Sequence, residues 1–385
     1  MKYSTDKSFC EELDQKDGLK SYKDLFFIPK SKQGKDLIYF CGNSLGLQPK
    51  KTKEYIIQEI DDWKTLAVEG HFRAKNPWLP YHEMLSTSYS KLIGAKSSEV
   101  IAMNTLTVNL HLMMVSFYKP EKNKFKILIE KDAFPSDIYA VESQIKFHGF
   151  KSDEALIKLE PRKGEYFIRQ EDIEKIIEEN SNEIALILIG GVNYYTGQLF
   201  DMQKITKVGH EHGIVVGFDL AHAIGNVKLE LNKWNVDFAV WCSYKYLNSG
   251  PGAIAGAFVN ERFHNVELPR FTGWWGHNKK ERFLMDDKFK PIKSAEGWQL
   301  SNPPIFSLAP VFASLSIFDK VGMDDLIKKS KALTNYLEFL IKSIDNKNIE
   351  IIDVPMRGCQ LSIRVKNYDK KLFNNLTENG IVADW

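Results

Sequence analysis

Four short, continuous apolar runs dominate the middle of this chain. They are Phe125 to Glu130 (FKILIE), Ile184 to Ile189 (IALILI), Ile214 to Phe218 (IVVGF) and Phe238 to Trp241 (FAVW). A strand with one face in water alternates apolar and polar residues. A strand covered on both faces has no such alternation, so uninterrupted runs of this length fit a parallel sheet sandwiched between helices. Stretches of helical period lie between the runs, such as Glu171 to Glu179, where Ile173, Ile176 and Ile177 share a face. Strand alternating with helix predicts an α/β layer with right-handed crossovers.

After about residue 265 the texture changes. Phe271 to His277 (FTGWWGH) and Ser301 to Ile305 (SNPPI) read as loops, and a helical stretch follows. Beyond it come two further strand signals, Ile349 to Val354 and Gln360 to Lys366. In the second, Leu361, Ile363 and Val365 alternate with polar residues. Gly380 to Trp385 reads as the opening of another strand. The expected organisation is a large α/β domain over 51–265 and a smaller α+β domain over 266–385, joined by the N-terminal segment 1–50.

Composition removes several function classes. With 385 residues, 43% apolar and 26% charged, the chain has the make-up of a globular enzyme. Its 52 basic and 50 acidic residues leave a net charge of +2, so no bulk field is offered to nucleic acid or to an acidic membrane. Cys10, Cys41, Cys242 and Cys359 show no CxxC spacing, against both a disulfide framework and a zinc knuckle. No apolar run approaches a membrane span, and no signal core follows the N-terminus. A soluble cytoplasmic protein with no membrane or nucleic-acid partner is expected.

The chemistry is expected at strand ends, where ligands of parallel sheets gather. Asp219 follows the run Ile214–Phe218 directly, with His222 three residues on. Taken alone, Asp219 reads as the cap of the next helix. A second polar strand end changes the balance: after Trp241 comes Cys242-Ser-Tyr-Lys-Tyr-Leu-Asn-Ser-Gly-Pro-Gly252, with Lys245 between two tyrosines. A lysine in an apolar setting can serve as an amine nucleophile. Lys and Asp at neighbouring strand ends are the two contacts that pyridoxal phosphate requires, one as a Schiff base and one on the pyridine nitrogen. Asn104-Thr-Leu-Thr-Val-Asn-Leu-His-Leu112 opens an apolar helix whose free N–H groups suit a phosphate. Ordinary N-capping reads the same way, and the two are compatible.

These residues carry a resemblance. Cys41-Gly-Asn-Ser-Leu-Gly-Leu-Gln-Pro49, Asn104-Thr-Leu-Thr-Val-Asn109, Phe134-Pro-Ser-Asp137, Tyr195-Thr-Gly-Gln198, Gly217-Phe-Asp-Leu-Ala-His-Ala223, Trp241-Cys-Ser-Tyr-Lys-Tyr-Leu-Asn248, Gly273-Trp-Trp-Gly-His277 and Ser301-Asn-Pro-Pro-Ile305 together resemble the kynureninase family. The resemblance runs from about residue 38 onward. It implies a fold type I pyridoxal phosphate enzyme related to class V aminotransferases and cysteine desulfurases. The implied reaction is hydrolytic cleavage of the Cβ–Cγ bond of kynurenine, or its 3-hydroxy form, to anthranilate, or 3-hydroxyanthranilate, and alanine, in tryptophan breakdown or nicotinamide cofactor synthesis.

By position, the resemblance makes Lys245 the Schiff-base lysine and Asp219 the partner of the pyridine nitrogen. It sets His222 beside the cofactor and stacks Phe134 on its ring. Leu106, Thr107, Ser136, Asp137 and Tyr244 complete the pocket, and Gly190 falls where family members often have Ser, which leaves only backbone to touch the cofactor. Trp274 and Asn302 are implied to arrive from the partner in a homodimer. Ser44, His71 and Asn302 are implied on the substrate side, with Tyr244 as acid–base group. The family's carboxylate-clamping arginine lies beyond Val382-Ala-Asp-Trp385, so a truncated chain is expected, and neither Arg357 nor Arg364 matches that motif. The alternatives are a desulfurase-like lyase, which Tyr244 in place of a His before the lysine argues against, and a catalytically impaired relative that binds the cofactor. His210 and His212 are expected to be solvated, and Cys359 to open a strand.

Overall fold

The computed structural model describes residues 2–344 and 346–384. A seven-stranded sheet forms its centre. In chain order its strands are labelled with the flanking short ones: β1 (Ile38–Tyr39), β2 (Val100–Ala102), β3 (Lys126–Glu130), β4 (Leu156–Leu159), β5 (Ile184–Gly190), β6 (Val215–Asp219), β7 (Phe238–Trp241), β8 (Gly256–Val259), β9 (Ile349–Ile351), β10 (Ile363–Val365) and β11 (Ile381–Val382). The central order is β2-β8-β7-β6-β5-β3-β4. β4, β3, β5, β6 and β7 run parallel, while β8 is antiparallel to both β7 and β2. The fold is α/β, as expected, with all four apolar runs inside the parallel part.

The continuous runs have a direct packing cause. Leu128, Ile187, Ile189, Val216, Phe218 and Trp241 face one apolar core. Their neighbours in sequence, Ile127, Ile129, Leu186, Leu188, Phe238 and Val240, face a second core on the other side. With apolar cover on both faces, polar residues are confined to the strand ends, such as Lys126 and Glu130 of β3 and Asp219 of β6. Gly217 in β6 is required by this packing, because a Cβ there would sit 2.1 Å from the Phe238 ring.

Beyond residue 265 the chain stays in contact with both cores. Leu268, Ala295 and Trp298 pack in the second, and Leu308, Val311, Leu315 and Phe318 of the helix Ile305–Val321 pack in the first. β9 pairs with β10 antiparallel, and β1 pairs in parallel with β11 through Ile38 and Ile381. The strand signal at Gly380 thus closes on the N-terminal segment, although Trp385 lies outside the described residues. Two minor expectations are corrected. Cys359 sits in a bend ahead of β10 rather than at a strand start, and His210 is not solvated, since its Nε2 lies 2.8 Å from a carboxyl oxygen of buried Asp237.

Candidate active site

The carboxyl ends of β3, β5, β6 and β7 form one rim, and the side chains expected to do chemistry converge on it. Leu106, Thr107, Phe134, Ser136, Asp137, Gly190, Asp219, His222, Tyr244 and Lys245 all line a single pocket, with Glu130, Asn193 and Tyr194 beside them. Lys245 Nζ lies 2.9 Å from His222 Nε2 and 5.5 Å from the centre of the Phe134 ring. Burial, and then the Lys245 charge, push the His222 imidazole down to about 3. A neutral ring accepting from the lysine at Nε2 carries its proton on Nδ1, and that buried atom has no partner in the protein.

Asp219 ends β6 at the floor of the pocket, where Oδ1 accepts from the Ala221 N–H at 2.6 Å. Burial raises its carboxyl, and burial followed by the Asp219 charge raises Asp137 further. Two buried carboxyls in contact cannot both ionise, so Asp137 holds the proton and Asp219 the charge. Asp137 Oδ1 is a second buried atom without a partner.

Two helix N-termini also meet at the pocket. Leu106 opens the helix Leu106–Phe117, and Pro135 opens Pro135–Phe147. Thr107 Oγ1 and Ser136 Oγ are 2.9 Å apart, tying the two first turns together. Asn104 adopts a left-handed φ of 52° and is held by Asn109, whose own amide donates to the Met103 carbonyl. That turn leaves the first N–H groups of the helix for an anion.

The residues fit pyridoxal phosphate on this chemistry. An amine sits over one aromatic ring, a buried carboxylate is ready for a ring nitrogen, helix N-termini wait for the phosphate, and two pocket-lining residues, His222 and Asp137, each hold a buried polar atom without a partner. Gly190 lines the pocket as expected, and its N–H donates to Glu130 Oε1 at 2.8 Å.

Four other expected residues do not line this pocket. Trp274 is 41% exposed, and its Nε1 donates to the Arg282 carbonyl. Asn302 is exposed on its loop. His71 packs edge-on against Trp78. Ser44 lies in the Cys41–Pro49 loop, which touches the catalytic segment at Gly46: its N–H donates to the Tyr244 carbonyl at 2.8 Å, and a Cβ there would meet the Lys245 carbonyl at 2.3 Å. Arg357 pairs with Glu338 at 2.7 Å, and Arg364 with the Tyr166 hydroxyl. Cys359 is half-buried, and desolvation raises its thiol. A desulfurase-type nucleophile needs the reverse.

Sequence reasoning missed Glu130, Asn193 and Tyr194. Glu130 was legible only as the last residue of a strand, and its partners come from a strand end sixty residues away.

The aminotransferase class-V family model matches residues 38–383. A kynureninase from Flavobacterium psychrophilum is 53% identical, over 98% of this chain and 90% of that protein. A kynureninase from Myxococcus xanthus is 52% identical, over 100% and 91%, and one from Nematostella vectensis is 47% identical, over 98% and 87%. Among solved structures, a cysteine desulfurase from Escherichia coli superposes with a TM-score of 0.75 at 14% identity, over 94% of this chain and 86% of that one, which shows the shared fold. The chain belongs to the kynureninases of the class-V aminotransferase family, enzymes that use pyridoxal phosphate.

Proposed function

We propose that this chain hydrolyses kynurenine, or its 3-hydroxy form, to anthranilate, or 3-hydroxyanthranilate, and alanine. The observation that carries the reading is the Lys245–His222 contact above the buried Asp219–Asp137 pair, in a chain half identical to kynureninases. Lys245 would hold the cofactor, Phe134 would cover its ring, Asp219 would keep the ring nitrogen protonated, and the turns at Leu106–Thr107 and Ser136 would bind its phosphate. When bound, pyridoxal phosphate supplies an electron sink that acidifies the substrate Cα and makes the Cβ–Cγ bond cleavable.

With cofactor and substrate bound, Lys245 would be the group that takes up and returns the Cα proton. Neutral His222 accepts from the lysine, which fixes where Nζ points without adding a competing charge. Tyr244 has its phenol pushed up to about 12, chiefly by burial. A phenol that keeps its proton suits donation to the aryl ketone oxygen as water adds at Cγ. Ser44, His71 and Asn302 are assigned to the substrate, with Trp274 and Asn302 supplied by a second copy of the chain in a homodimer. The exposure of Trp274 and of neighbouring Phe271, Phe283 and Leu284 supports that arrangement, and the β1–β11 pairing supports joining segment 1–50 to the C-terminal part. Among the described residues no single helix is long and apolar enough to cross a membrane, and a cytoplasmic location is part of the proposal.

The test is anthranilate release from kynurenine by purified protein with added pyridoxal phosphate, run beside Lys245→Ala. Product from both proteins would overturn the assignment.

A further inference from the structure

Glu130 is a carboxyl on the pocket rim to which the reaction gives no task. It ends β3, is 2% exposed, and lines the pocket beside Gly190 and Asp219. Its oxygens accept from two neutral donors, Oε1 from the Gly190 N–H at 2.8 Å and Oε2 from Asn193 Nδ2 at 2.7 Å. A buried carboxyl is unfavourable unless its bonds define something. Here they define a turn.

Asn193 is the centre of that turn. Its Oδ1 accepts from the Tyr195 N–H at 3.0 Å, the Thr196 N–H at 2.9 Å and Thr196 Oγ1 at 3.1 Å, which folds the segment after β5 back on itself. Between these anchors stands Tyr194. Its ring meets Phe134 edge to face at 5.4 Å and lies 6.4 Å from the His222 ring. Phe134 is 48% exposed, and besides Tyr194 its ring meets Lys245 Nζ at 5.5 Å.

We propose that Glu130 is a positioning residue for the cofactor ring: by gripping Gly190 and Asn193 it sets the turn that carries Tyr194, and Tyr194 holds Phe134 and His222 in place. The inference rests on the pocket reading above. Glu130 never touches the substrate in this account; it acts through two neighbours.

The donor pattern supplies a test that separates positioning from bulk stability. Glu130→Gln keeps an oxygen for the Gly190 N–H but turns an NH2 group toward the Asn193 NH2, so the grip on the turn fails. Asn193→Asp alone sets two carboxyls face to face. Together they restore one donor to one acceptor, with the total charge of the wild type and the turn N–H groups still accepted by Asp. Pyridoxal phosphate is titrated into each apo-protein and followed by its visible band, alongside apo-protein melting and kcat at saturating cofactor.

Glu130→Gln is expected to weaken cofactor binding about tenfold, the effect of one unmade buried hydrogen bond, and the double variant to return within about threefold of wild type. Tyr194→Ala, which leaves the Glu130–Gly190 bond intact, should weaken binding by a similar factor. Wild-type cofactor affinity and kcat in Glu130→Gln with only a lowered melting temperature would overturn the proposal, as would a double variant no better than the single ones. A wild-type protein that forms no Lys245-dependent band would instead overturn the pocket reading itself.

Discussion

The same three residue types, His, Asp and a cation, meet twice along β6 and β7, at opposite ends. At the amino end Asp237 takes bonds from the Val216 N–H at 2.7 Å, from His210 at 2.8 Å and from Arg262, whose guanidinium also reaches the Asn235 carbonyl at 3.0 Å. The cluster is closed on itself. At the carboxyl end, Asp219, His222 and Lys245 leave His222 Nδ1 and the Asp137 Oδ1 next door without partners, and burial displaces the titration of His222, Asp137 and Asp219. Closed polar clusters hold a fold together; open ones with displaced protons await a ligand. Residue type does not separate a site from a clamp here, but hydrogen-bond satisfaction does.

Substitutions should separate the two ends. Lys245→Ala is expected to lower kynurenine turnover by about 10^3-fold or more, since it removes both cofactor attachment and the Cα base, while circular dichroism and melting stay near wild type. Asp237→Asn should do the reverse: a loss of about 3 kcal/mol of stability from a broken buried pair, read by urea unfolding, with kcat of the folded protein unchanged. Asp219→Asn is expected to reduce kcat about 10^2-fold and to move the cofactor's visible band, because the ring nitrogen loses its anionic partner. A kcat loss in Asp237→Asn to match Asp219→Asn would erase the distinction between the two ends.

The smallest effect is in pH dependence, and its sign differs between two residues of the open end. Burial pushes Glu130 up to about 7, so between about pH 4.5 and 7 the folded state binds more protons than the unfolded one. Stability from this group therefore falls as pH rises, by at most about 1.4 kcal/mol per pH unit. His222 is held down to about 3, so between there and about 6.5 the unfolded state binds more protons and stability rises with pH. The melting temperature of apo Glu130→Gln should accordingly gain on wild type as pH is raised from 4.5 to 7. That of His222→Gln should gain on wild type as pH is lowered from 6.5. Parallel curves for variant and wild type would contradict both assignments.

Much of the open end was legible because its markers are local. Double-sided burial writes each parallel strand as an unbroken apolar run, and polar residues just past such a run stand near the rim; Asp219 directly after Phe218 and Lys245 four residues past Trp241 are both found this way. The closed cluster was not legible. His210 looked like a solvated helix residue because Asp237, 27 positions on, reaches it only through strand pairing. Glu130 was hidden for the same reason, since β3 and β5 become neighbours by a crossover that no local pattern reports. β8 escaped notice because its Gly-Ala-Phe-Val is short and small-residued, as an edge-side strand packed under Trp241 must be: a Cβ on Gly256 would meet that indole at 2.3 Å.

The most direct test of the central claim is a single assay on wild-type protein: add pyridoxal phosphate, record the visible band, then add kynurenine and follow anthranilate fluorescence with alanine measured alongside. The account predicts a band and the two products in equal amounts. A band with neither anthranilate from kynurenine nor 3-hydroxyanthranilate from its 3-hydroxy form would contradict the proposed reaction while leaving the cofactor pocket standing.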